Sequence, residues 1–148
     1  MRVCVMKQNR MQDEAPMIYA IAYVATALVF FSLDYLWLGT LAKDFYAREL
    51  GSLMREKPDF LAAGIFYLFY IGGVVLFAVV PALQAQSWKT ALVYGGLLGL
   101  FAYGTYDMTN LATLKGWPVK MVVVDMAWGT ALTAASALMG YLAVRAAV

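Results

Sequence analysis

TALVYGGLLGLFAYGTYDMTNLATLKGWPVKMVVVDMAWGT, residues 90–130, is one long apolar stretch broken only by LKGW at 114–117. The run before the break covers 90–113, and the run after it continues to 143. Each is near the ~20 residues an α-helix needs to cross a bilayer. Gly116 suits the end of one helix and Pro118 the first turn of the next, the usual asymmetry of helix termini. So short a link folds the two helices back as an antiparallel hairpin.

Two further apolar runs precede this hairpin, at 17–40 and 60–83. The connection 84–89, QAQSWK, is again short. The connection 41–59, LAKDFYARELGSLMREKPD, is longer. Its Leu41, Phe45, Leu50, Leu53 and Met54 recur at roughly helical spacing among balanced charges, which predicts an amphipathic helix on the membrane surface. Trp37, Trp88 and Trp117 fall near the expected helix ends, where indoles commonly anchor. The expected fold is therefore all-α: a polytopic membrane protein with four transmembrane helices in an antiparallel bundle, and an interfacial amphipathic helix after the first.

Composition agrees. Of 148 residues, 64% are hydrophobic and 14% charged, with a mean hydropathy of +0.71, an excess that a soluble domain of this size cannot hide. The lipid bilayer is the expected partner, and a net charge of +2 gives no footprint for nucleic acid. With Cys4 the sole cysteine, no disulfide forms within the chain. There is no histidine, so a histidine-based metal or haem site is excluded; no metal or cofactor is expected.

Residues 1–16 are set apart as an N-terminal tail, and 17–148 as a single transmembrane domain. Asp13 and Glu14 follow the basic Arg2, Lys7 and Arg10, which argues against a signal peptide. Met6, Met11 and Met17 offer alternative starts, so the tail need not be native. Counting Lys and Arg, the N-tail, second loop and C-tail hold five, against six in loops 41–59 and 114–117 plus Lys120. A start at Met17 makes this two against six and places loops 41–59 and 114–117 in the cytoplasm.

The apolar runs carry three acids: Asp34, Asp107 and Asp125. At ~1.5 Å per residue, each lies roughly 9–10 Å inside its helix end, and the alternating topology puts those ends on one side. The three therefore share a layer. On a helical wheel, Gly95, Gly96, Gly99, Tyr103, Tyr106, Asp107 and Asn110 fall within about 120° of arc. Gly95 and Gly99 form a GxxxG pair, serving close packing within the bundle or between copies. Asp125, Gly129, Ser136 and Gly140 form a similar stripe, and Tyr23, Ala27, Phe30 and Asp34 line a face of the first helix.

No Lys or Arg lies within the hydrophobic cores of the runs; Lys120 is five residues from Asp125 and Lys115 eight from Asp107, and neither spacing favours a direct pair. An ionised Asp near a helix centre costs about 2.5–3.5 kcal/mol before partners are counted. The acids must be protonated, share protons, or meet a cation, a water-filled cavity or a ligand. Alternatively Tyr23, Tyr103, Tyr106, Asn110 and the Trp128 indole hydrogen-bond neutral acids and glue the helices together. The spacing D-x-x-W occurs twice, at 34–37 and 125–128, placing each tryptophan almost one turn from its acid.

YDMTNLATLKGWP (106–118), VDMAWGT (124–130) and DYLWLGT (34–40) together resemble the bacterial membrane-protein family termed domain of unknown function 2177. The resemblance covers about residues 17–145 and implies a four-helix protein of the bacterial inner membrane. It implies no activity, so the candidate residues rest on physical reasoning. The preferred reading is a proton-, cation- or small-polar-ligand-binding membrane protein using Asp34, Asp107, Asn110, Asp125, Tyr103, Tyr106 and Trp128, with Gly95, Gly99, Gly129 and Gly140 packing the helices. Transport by so few helices would call for a homo-oligomer. An accessory subunit of a larger membrane enzyme complex is the alternative, and a lipid-modifying enzyme the third. A binding role is preferred to an enzymatic one because no nucleophile motif or oxyanion hole is present.

Overall fold

A computed structural model describes residues 2–148, with side chains from Ala15 onward. The elements are α1 (Arg2–Leu36), α2 (Lys43–Leu50), α3 (Phe60–Val74), α4 (Val80–Ala85), α5 (Trp88–Thr113) and α6 (Val119–Ala147). No strand occurs among the described residues. The expectation of a separate tail at 1–16 falls mainly on side chains outside the described residues.

Three helical stretches are long and apolar enough to cross a membrane: Ala15–Leu41, Phe60–Ala85 and Val119–Ala147. Helix α5 has 26 residues and so the same reach. Its glycines, its tyrosines and Asp107 make it less apolar than the other three. Large apolar side chains face outward, as on α3, where Phe60 and Phe69 are 79% and 80% exposed. Water would penalise such a surface, and hydrocarbon does not.

Two stretches wind wider than an α-helix, Trp37–Leu41 and Val75–Val79. The second joins α3 to α4 just before Pro81, whose nitrogen cannot donate within a helix, and the local widening absorbs that defect. Caps match the sequence. The Asp59 side chain accepts the Ala62 amide at 3.0 Å, and Ser87 accepts that of Thr90 at 3.4 Å. Gly116 takes a positive φ of 77° immediately before Trp117 and Pro118, which turns the chain into α6.

Helix α6 is the hub, packing along α5 most extensively and along α1 next. Close approach depends on missing side chains. A Cβ on Gly99 would strike the Gly129 carbonyl, one on Gly129 the Tyr103 ring, and one on Gly140 the Thr26 hydroxyl. A Cβ on Gly95 would lie 2.8 Å from the Ala137 methyl. The GxxxG stripe is thus occupied by α6 of the same chain, not left open for another copy. On α1 the buried stripe is Ala22, Thr26, Phe30 and Asp34, so the expected face is rotated by one residue in its first half.

Connector 41–59 holds one short α-helix, α2, whose buried residue is Tyr46, followed by a 3-10 turn at Gly51–Leu53. With Ala42 and Met121, Tyr46 forms a small core beside Trp37 and Trp117. Leu41, Leu53 and Met54, expected on the apolar face, are exposed. Trp37, expected as an interfacial anchor, packs inward instead.

Candidate functional site

The two D-x-x-W sequences meet. Trp37 and Trp128 stack with ring centroids 4.3 Å apart and planes 8° from parallel. Each indole then serves the acid of the other motif. Trp128 donates from Nε1 to Asp34 Oδ1 at 3.4 Å. Trp37 donates from Nε1 to the Tyr46 hydroxyl at 3.3 Å, and that hydroxyl donates to Asp125 Oδ1. One end of α1, the start of α6 and the short helix α2 are therefore tied by side chains of a single cluster. Burial, and then the bond to Asp125, raise the Tyr46 phenol above its ordinary range, so it remains a donor.

Asp34, Tyr46, Asp125 and Trp128 border a cavity of about 410 Å³. Asp34 and Asp125 both line it, on opposite helices. Asp34 is only 5% exposed, and Asp125 is half-buried. An aromatic wall faces the acids. Phe66 stacks on Tyr70 at 6.0 Å, and Phe30 meets Tyr67 and Tyr70 edge-on at 5.4 and 5.7 Å. The Tyr70 and Thr133 hydroxyls share a hydrogen bond of 3.0 Å, which fixes that ring.

Tyr103, Tyr106 and Trp128 also border the cavity, but Asp107 and Asn110 do not. Asp107 is fully buried, and neither of its oxygens has a hydrogen-bond partner. It lies behind Asp125 and beside the Trp117 indole, whose N–H is likewise unpartnered. Asn110 flanks Tyr106 on α5. Tyr23, considered as a donor to an acid, bonds the Leu68 carbonyl at 2.8 Å instead.

No basic side chain reaches this cluster among the described residues. The two ion pairs are Arg55 with Asp59, 3.4 Å, and Lys120 with Glu49, 3.9 Å. Nor do three acidic or cysteine side chains converge there as a metal-ligand set. The carboxylates can therefore accept protons or hydrogen bonds from whatever enters the cavity, in a setting of low polarity.

Sequence reasoning missed Tyr46, Tyr67 and Tyr70. Tyr67 and Tyr70 were detectable as hydroxyl-bearing rings one turn apart in an otherwise apolar helix. Tyr46 was masked by its neighbour Phe45, which fitted the apolar stripe better.

No curated protein and no solved structure matches the chain. The family model described as a predicted membrane protein, domain of unknown function 2177, matches residues 19–142, a span that holds both D-x-x-W motifs, all three acids and the whole cavity lining, and the chain belongs to that family.

Proposed function

We propose that this protein crosses the bacterial inner membrane four times and holds a proton, a cation or a small polar ligand between Asp34 and Asp125. One observation carries the reading: two acids on different helices line the same cavity, and no Lys or Arg pairs with either among the described residues. An uncompensated carboxylate in hydrocarbon costs several kcal/mol, roughly 2.5–3.5 on insertion scales, so its retention implies something that interacts with it.

The fourth crossing is assigned to α5, which matches its neighbours in length and packs along α6. Helix α2 lies on the membrane surface, with connectors 41–59 and 114–117 in the cytoplasm by the excess of Lys and Arg on their side when the chain starts at Met17. The cavity then opens near headgroup depth on the cytoplasmic side.

Native mass spectra of the gently solubilised protein test this. The wild type retains a bound small molecule that an Asp34→Asn, Asp125→Asn variant loses while keeping its helix content. Equal spectra from both proteins would contradict retention of a ligand by the carboxylates.

The accessory-subunit reading has one observation in its favour. Each cavity acid already accepts a hydrogen bond from another element, Asp34 from Trp128 and Asp125 from Tyr46, as helix glue would. It calls for a distinct membrane-protein partner in the spectra of both wild type and variant, with no small molecule.

A further inference from the structure

We infer that the ligand is a protonated amine carried on a compact apolar body, with its ammonium between Asp34 and Asp125 and its body against the aromatic wall. This rests on the carboxylate-cavity reading above and narrows it to a chemical class.

Size comes first. A space of about 410 Å³ far exceeds a bare ion and falls within the roughly 300–1,000 Å³ of small-molecule pockets. The shape of the lining comes second. Phe30, Phe66, Tyr67 and Tyr70 hold one another by ring contacts of 5.4–6.0 Å, so the wall is preformed. Such rings favour an apolar body and attract a cation over their faces.

Charge comes third. Two carboxylates line the space without Lys or Arg, and the sealed Asp107 adds a third acid behind Asp125. Asp34, nine-tenths buried, accepts the Trp128 N–H and lies within reach of the Tyr67 hydroxyl, and no cationic side chain pairs with it among the described residues. An ammonium, with three donors and a positive charge, is the group that two such acceptors suit. A hard metal ion wants about six oxygens, and no three-ligand set converges here among the described residues. An aminophospholipid headgroup offers the same ammonium, but it would bring a phosphate to a cavity with no cationic lining. The free amine is therefore the source assigned.

The test uses the full chain in phosphatidylglycerol nanodiscs, with 4-phenylbutylamine as probe. Its neutral analogue 4-phenylbutanol serves as the chargeless arm, and ammonium and potassium chlorides as the bodyless arms. Asp34→Asn, Asp125→Asn is the comparison variant, since Asn keeps an acceptor for Trp128 and Tyr46. The amine is expected to saturate the wild type at an affinity at least about tenfold above that of every other arm and of the variant.

If the variant loses its fold, Phe66→Ala replaces it, and amine affinity is expected to fall several-fold. Unchanged affinity there would overturn the aromatic assignment. Carboxylate-dependent binding of the alcohol or of a bare ion would sink the amine class and leave the cavity reading standing. No binding by any probe would remove both. Loss of amine binding in phosphatidylethanolamine nanodiscs would reassign the site from a free amine to a lipid headgroup.

Discussion

Trp37 and Trp128 lie face to face, 4.3 Å between ring centroids, and each indole hydrogen-bonds toward the acid of the other's D-x-x-W motif. The pair joins two helices at the depth where their carboxylates face the cavity. Aromatic contacts of this kind are worth about 0.5–1.5 kcal/mol beyond buried area. A double-mutant cycle on Trp37→Leu and Trp128→Leu, read by denaturation in detergent, is expected to give a coupling energy in that range. Strict additivity would mean the stack contributes nothing.

Tyr46 is the only buried residue of α2 and its link to Asp125. Tyr46→Phe removes one hydrogen bond to an acid and is expected to cost roughly 1–3 kcal/mol. The loss is local. Amide exchange over 43–50 should accelerate more than exchange in α6, and uniform acceleration would argue against α2 as a tethered strap.

Glycines divide into those that need their bare backbone and those that do not. A methyl at Gly129 meets the Tyr103 ring, whereas one at Gly72 meets nothing within 4 Å. Gly129→Ala should therefore destabilise by about 1–3 kcal/mol through overpacking. Gly72→Ala should be neutral or should stabilise by up to about 1 kcal/mol, the helical advantage of Ala. Thermal unfolding of the two variants side by side decides this.

The four-crossing proposal has its own check. With Cys4 replaced by Ser, single cysteines at Ser52 and Lys115 are expected to react with a membrane-impermeant maleimide from one side, and one at Gln86 from the other. Reactivity of all three from the same side would mean that neither α3 with α4 nor α5 crosses.

The fold was largely legible because helices of bilayer length leave apolar runs that need no tertiary information. The breaks at Gly116–Pro118 and at Ser87 are local turn and cap chemistry, readable in the same way. Helix α5, expected over 90–113 and found at Trp88–Thr113, was legible as a helix, but the glycines and tyrosines that pack it against α6 dilute its apolar signal as a crossing. The coincidence of Asp34 and Asp125 followed from depth arithmetic, but Asp107 has the same depth and is sealed behind Asp125. Depth fixes a layer; which acid borders the cavity depends on rotation about the helix axis and on side chains from other elements. The crossed pairing of the two D-x-x-W motifs shows the same limit. Spacing put each tryptophan beside its own acid, whereas packing of α1 against α6 hands it to the other.

Asp125 opens onto the cavity while Asp107, beside it, does not. Labelling with a hydrophobic carbodiimide at mildly acidic pH, mapped by peptide mass spectrometry, tests it most directly. Modification of Asp125, with Asp107 left unmodified, is the predicted result. Modification of Asp107 with Asp125 spared would contradict the geometry on which the proposed site depends.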